Sequence, residues 1–336
     1  MRLARAALQF ISPVRRAARS SNSLGASPTN PDPGATSAIH LRQLRKRYGG
    51  VLAVDDVSFD VERGEIFGII GPNGSGKTTT VECLQGLRLA DGGLIEVFGL
   101  DPRTSARALR HRVGSQLQES ALPERIRVWE ALDLFAAMSP RSRDWASTAR
   151  EWGLDEKRNA AFASLSGGQR QRLFVALALV NQPDLVFLDE MTTGLDPVAR
   201  RDAWDVIRQV RERGTTVVLV THFMDEAEAL CDRVAIFRSG RVVDVGSVAE
   251  LVDRHGPGAV VSFSCEDDVN WLRDVGGVTG VSREGHRVTV SGGGPLLAYV
   301  AAALVARGIA PLDLEVVRPT LDDVFVRLTN SGDRRS

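Results

Sequence analysis

The sequence predicts an α/β protein with a mixed sheet at its core, followed by a small α+β domain. Three observations carry this. Continuous apolar runs, "EIFGIIG" (65–71), "DLVFLDE" (184–190) and "TTVVLVTH" (215–222), alternate with amphipathic stretches of helical period. Strands that are apolar without alternation are buried on both faces, as in parallel sheets covered by helices. A glycine-rich turn separates the first of these runs from a helical stretch. After Gly246 the pattern shifts to shorter strands of βαββαβ order.

In chain order, residues 1–37 read as a disordered tail. "MRLARAALQFISPVRRAARSS" holds five arginines and no acid, and "NSLGASPTNPDPGATS" is too polar to bury a core. The Arg- and Ser-rich start superficially resembles a transit peptide, but a flexible extension or an overcalled start is the preferred reading. "AIHLRQLRKRY" and "VDDVSFDVERG" alternate as antiparallel strands do. "EIFGIIG" is a buried strand and "KTTTVECLQGL" a helix. "SGGQRQRLFVALALV" and "PVARRDAWDVIRQVRERG" read as helices flanking the other two buried strands. "VAIFRSGRVVDVG" (234–246) reads as a hairpin that ends a domain spanning 38–247.

A C-terminal accessory domain is expected over 248–330. It comprises a linker helix, strands at 259–265, 278–283, 286–291 and 312–317, helices at 269–275 and 295–307, and a short helix at 321–328. That order is the split, ferredoxin-like arrangement. "PLLAYVAAALVARG" (295–308) reads as a buried helix, and no apolar run reaches the ~18 residues needed to span a bilayer. His286, Asp267 and Asp268 read as solvated turn residues.

The 336 residues carry a formal net charge of zero, so nothing in the balance calls for a nucleic-acid partner. Cys83, Cys231 and Cys265 are odd in number and widely spaced, and read as reduced thiols. Only three of the 42 basic residues are lysine, Lys46, Lys77 and Lys157. A lysine that persists in so arginine-rich a chain stands where arginine would not fit, and Lys77 lies inside the glycine-rich turn.

That turn, "GPNGSGKT" (71–78), matches G-x-x-x-x-G-K-[ST] between a strand and a helix. The backbone N–H groups of Gly71, Pro72's neighbours Asn73 and Gly74, Ser75, Gly76, Lys77, Thr78 and Thr79 can close around phosphate oxygens at a helix N-terminus. Lys77 is a compact charge for the β- and γ-phosphates, and Thr78 offers a hydroxyl to Mg²⁺. Asp189, ending "LVFLD", can hold Mg²⁺ through water. Glu190 follows on the γ-phosphate side, where a carboxylate orients and deprotonates the attacking water.

"LSGGQ" (Leu165–Gln169) resembles the signature motif of the ATP-binding cassette (ABC) ATPases. The rest of that family's set has counterparts over about 39–247. Tyr48 matches the aromatic residue that stacks on adenine. Gln118 in "GSQLQES" matches the Q-loop glutamine, with Gln116 the alternative register. Gly194–Asp196 in "TTGLDP" matches the D-loop, with Asp196 in the site, and His222 the switch histidine. The resemblance implies a head-to-tail homodimer. In it Ser166, Gly167, Gly168 and Gln169 of one copy close over the ATP held by the P-loop of the other. Glu190, His222 and Gln118 would then be catalytic, and Thr78, Gln118 and Asp189 would hold Mg²⁺. Met191 stands where the family usually has proline, for which a small effect on the turn is expected.

The wording around the motifs, and the closing "PTLDDVFVRL", resembles the daunorubicin-resistance-type ATPases of ABC-2 multidrug exporters. The resemblance implies an ATP hydrolase on the cytoplasmic face of the cell membrane. It would serve a separately encoded permease that carries a drug-like or other substrate, with antibiotic resistance as one outcome. The stretch "ESALPERIRVWEALDLFAAM" would receive the permease. A non-transport ABC ATPase or an importer subunit is the alternative.

Overall fold

The computed structural model describes residues 37–116, 122–138 and 144–330. The chain divides into two compact units, residues 1–247 and 248–336.

In the first unit, β1 (Ser37–Tyr48), β2 (Val51–Glu62) and β4 (Gly92–Val97) form an antiparallel sheet of order β2-β1-β4. A second sheet holds β3 (Ile66–Ile70), β5 (Val113–Gln116), β6 (Leu185–Asp189), β7 (Thr216–Thr221), β8 (Arg233–Arg238) and β9 (Arg241–Gly246). Its order is β5-β6-β7-β3-β8-β9, parallel except for the β8–β9 hairpin. Every residue of β3, β6 and β7 is buried.

Period-two geometry sorts the side chains of those strands between two cores. Phe67, Ile69, Leu185, Phe187, Val218 and Val220 join the core shared with the antiparallel sheet, where Phe59 stacks on Phe67 at 5.2 Å. Ile66, Val186, Leu188, Val217 and Leu219 face the helices. Those helices are α3 (Val128–Ala136), α4 (Trp145–Glu151), α5 (Gly167–Leu179) and α6 (Pro197–Glu212). The unit also holds α1 (Lys77–Leu84), α2 (Ala106–Leu109) and α7 (Met224–Leu230). Met191 is buried in the helix-side core. Its apolar, flexible chain fills space there and gives the turn no ring constraint.

The second unit begins with α8 (Val248–His255). Its sheet holds β10 (Ala259–Ser264), β11 (Val278–Glu284), β12 (Arg287–Gly292) and β13 (Glu315–Val317), in the order β11-β12-β10-β13, all antiparallel. Two helices, α9 (Leu296–Ala306) and α10 (Leu321–Asn330), complete it.

Three expectations for this unit need correction. The helix expected at 269–275 is a five-residue 3₁₀ turn, Asn270–Asp274. Asp268 takes the Asn270 backbone N–H at 3.0 Å and side-chain amide at 2.7 Å, an Asx turn that competes with α-helical pairing. The last strand is shorter than expected, because Asp313 spends its carboxylate on Ser264, at 2.9 Å and 2.6 Å, before ladder pairing begins at Glu315. The helix read as buried is only partly so. Leu296, Val300 and Leu304 face the sheet, while Tyr299 (47%) and Val305 (69%) are exposed. A single sheet face can cover only one stripe of a helix, whatever its composition.

Among the described residues no helix is long and apolar enough to cross a membrane. All three cysteines are free, and burial pushes the Cys83 thiol up to about 11, which leaves it inert.

Candidate functional site

Sheet order builds the site. β6, β7 and β3 are neighbours and run parallel, so their C-terminal ends lie side by side. Those ends carry Asp189–Glu190, His222 and the Gly71–Gly76 loop. Three motifs far apart in sequence thus share one edge, where open α/β sheets bind ligands.

The loop is shaped by close packing. Gly76 has φ 98°, and a Cβ there would stand 2.6 Å from the Ala53 carbonyl oxygen, so only glycine fits. Gly74 is also left-handed, at φ 77°, but a Cβ would meet nothing within 4 Å, so its side faces open space. Pro72, Asn73, Gly74 and Thr78 are exposed, and Thr79 is half-buried. Ser75 is buried, and its hydroxyl has no partner.

Lys77 opens α1 and is buried. Its Nζ donates to the carbonyl oxygens of Gly71 at 2.7 Å and Pro72 at 3.0 Å. Burial lowers its pKa, and the charges of Glu190 and Asp189 oppose that. Asp189 ends β6 and is 3% exposed. Burial first, and the neighbouring Glu190 second, push its pKa up to about 6, while Lys77 pulls it down. Asp189 is therefore a buried carboxylate that Lys77 only partly compensates.

Glu190 is held at φ 48°, unusual for a residue with a side chain. Its backbone N–H donates to the Val220 carbonyl at 2.9 Å. Its Oε1 lies 3.2 Å from His222 Nδ1. The structure thus joins these two sequence-predicted residues directly.

Other predicted residues stand apart from that pair. Ser166 is the N-cap of α5. Its hydroxyl accepts from Gln169 N at 3.3 Å, and Gln169 Oε1 accepts from Ser166 N at 3.0 Å, a reciprocal capping box. Ser166 and Gly167 are exposed, and a Cβ on Gly167 would meet nothing within 4 Å of this chain. The need for glycine there does not come from packing within this chain. Asp196 is exposed and caps α6, accepting from Val198 N at 3.0 Å and Ala199 N at 2.8 Å. Tyr48 ends β1, is 39% exposed, and its ring lies near Lys46 and Arg88. Gln118 lies outside the described residues. Gln116, the alternative register, is buried at the end of β5 and accepts from Gln171 Nε2 at 3.4 Å.

Sequence reasoning passed over Glu226. It is fully buried on α7 and accepts from Trp204 Nε1 at 3.2 Å. A signal was present, because Glu226 lies on the same helix face as Ala227 and Leu230, which also face inward. An acid on the buried face of a short helix is worth a question.

Comparison with known proteins fits this geometry. A family model described as ABC transporter matches residues 54–193. The Nod factor export ATP-binding protein I of Ralstonia nicotianae is 37% identical over 319 residues, covering 90% of this chain and 97% of that protein. The daunorubicin resistance ATP-binding protein DrrA3 of Streptomyces coeruleorubidus is 37% identical over 321 residues, covering 90% of this chain and 98% of its own. Both alignments are longer than the first unit and so run into the second. Among solved structures, an ATP-binding subunit of an ABC transporter superposes with TM-score 0.59 at 27% identity, covering 66% of this chain and 94% of its own. A dimeric bacterial ABC transporter cassette superposes with TM-score 0.57 at 26% identity, covering 62% and 98%.

Proposed function

This chain belongs to the ABC transporter ATPases, and from that premise we propose that it is the energy-coupling subunit of an ABC-2-type exporter. Two copies close head to tail over ATP and a separately encoded membrane permease carries the substrate. The observation that carries the reading is similarity over nearly the full length of two ATP-binding proteins, one named for Nod factor export and one for daunorubicin resistance. Identity is 37% to each, although the named compounds differ. This supports a subunit that supplies energy while the permease selects the cargo. The protein would then sit peripherally on the cytoplasmic face of the membrane.

In this reading Gly71–Thr79 wrap the phosphates and Lys77 neutralises them. Ser166, Gly167, Gly168 and Gln169 of the second copy complete the site, which accounts for a signature turn whose glycine faces open space. Asp196 supports the same closure, and Tyr48 offers its exposed ring to adenine. Glu190 takes the proton of the attacking water, and His222, 3.2 Å away, holds the γ-phosphate side in register. Gln118 completes the set with Thr78 and Asp189.

Mg²⁺ fits these residues. Asp189 is a buried carboxylate short of positive charge, and Thr78 is an exposed hydroxyl at a helix start. Few protein oxygens with phosphates and water filling the rest is the set this ion prefers. Thr78, Asp189 and Gln118 would hold the ion, which would supply positive charge against the phosphates.

A pH dependence is expected. Asp189 is raised from an ordinary 3.8 to about 6, because burial disfavours its charged form. The stability this protonated group lends is full below about 3.8 and is lost as pH rises through about 6. Mg²⁺ needs the carboxylate and competes with that proton. The Mg²⁺-dependent gain in nucleotide affinity should shrink by about tenfold per unit below pH 6. Titration of wild-type and Asp189→Asn protein with a fluorescent nucleotide, with Mg²⁺ or EDTA, isolates the residue. Equal pH slopes in the two proteins would remove Asp189 from the metal site.

The exporter reading is tested by pulling down tagged Glu190→Gln protein from detergent-solubilised native membranes with MgATP. Recovery of a stoichiometric multi-span partner is expected. Recovery with ribosomes or DNA, or alone in the soluble fraction, would overturn the exporter and leave the ATPase.

A further inference from the structure

Among the described residues, Glu226 is a fully buried carboxylate behind the site that the roles proposed for hydrolysis do not use. It is 0% exposed, as are the two threonines next to it, Thr192 and Thr221. Each neighbour belongs to a different segment. Thr192 lies in the loop that leaves Glu190. Thr221 ends β7 and directly precedes His222. Trp204 lies on α6 and donates its indole N–H to Glu226 Oε1 at 3.2 Å. Beside this contact, Arg200 of α6 stacks on Phe223 at 4.4 Å and reaches Asp225 at 3.4 Å. Helices α6 and α7 are thus clamped together just behind the histidine.

Stability alone does not account for an acid here. Burial raises the Glu226 pKa, and the hydroxyls of Thr221 and Thr192 and the Trp204 indole only partly offset this. Oε2 of Glu226 and Oγ1 of Thr192 are both buried, and neither finds a well-aligned partner. A site selected for stability would carry an apolar residue or a fully satisfied network. A buried polar group kept at a cost behind a reacting pair points to geometry as its purpose.

We infer that Glu226 is a positioning residue for hydrolysis. Its carboxylate, bonded to Trp204 of α6 and buried with Thr192 and Thr221, keeps α6, the loop after Glu190 and the β7–α7 junction packed together, so that Glu190 and His222 keep their 3.2 Å approach. This rests on the roles proposed for Glu190 and His222.

The test compares Glu226→Gln, Glu226→Asp and Trp204→Phe in the full chain, with Glu190→Gln run alongside. Glu226→Gln preserves size and replaces the carboxyl group with an amide beside Trp204, Thr192 and Thr221. Its kcat per nucleotide-binding site should fall by about tenfold or more, with KM for ATP unchanged. Glu226→Asp should recover part of that loss, because it keeps the carboxyl group at shorter reach. Trp204→Phe should lose several-fold, since it removes one donor and keeps the ring. Wild-type kcat in Glu226→Gln, or a fall that only tracks lost nucleotide-binding sites, would overturn the inference. If Glu190→Gln itself still turns over ATP, the catalytic reading fails and this inference fails with it. If Glu190→Gln is inert while Glu226→Gln is fully active, only this inference fails.

Discussion

ATP turnover by Glu190→Gln protein should fall by about 10²- to 10⁴-fold, the range for losing a general base, while MgATP stays bound. The substitution is conservative in every respect but one. The backbone of Glu190 is fixed by its N–H bond to Val220 at 2.9 Å, and glutamine can keep a hydrogen bond to His222. Only the capacity to take a proton is removed. With hydrolysis blocked, the ATP-closed state should accumulate, and size-exclusion chromatography with MgATP should show a dimer that disperses with ADP. Retained turnover would remove Glu190 as the base. An inert protein that stays monomeric would instead remove the ATP-sandwich reading.

Lys77→Ala should lose nucleotide binding by about a hundredfold or more, since about 2.7 kcal/mol is the scale of one or two charged hydrogen bonds. Lys77 Nζ is bonded to the Gly71 and Pro72 carbonyls, so it braces the loop proposed to receive the phosphates. It also opposes the raised pKa of Asp189. Its removal therefore costs the phosphate contact, the loop's brace and the charge balance together. Lys77→Arg should not rescue, because the planar guanidinium is too broad for a loop this tightly packed. Equilibrium titration with a fluorescent ATP analogue measures this. Tight residual binding by Lys77→Ala would mean that backbone N–H groups alone hold the phosphates.

Much of the site was legible because its chemistry is local. A strand, a glycine-rich turn and a helix start are contiguous at 65–84, so their phosphate-binding potential can be read without a fold. Asp189 and Glu190 were legible for the same reason, as acids at the end of an apolar run. Glu226 was not legible as a working residue. Its partners Thr192, Trp204 and Thr221 are up to 34 positions away, and only packing of α7 against α6 and β7 brings them together. The 3₁₀ turn at Asn270–Asp274 was misread because helical composition there competes with one Asx turn, a contest decided by a few hydrogen bonds.

By itself the sequence determined the elements and the motif chemistry. Apolar periodicity chooses strand or helix, and short motifs place phosphate-binding backbone and acids on them. The tertiary structure decided which motif ends meet. Strand order β6-β7-β3 sets Asp189, His222 and the phosphate loop on one edge. Burial then shifts the Lys77 and Asp189 pKa values toward each other. Both effects depend on distance and dielectric, which arise only when segments far apart in the chain are packed together out of water.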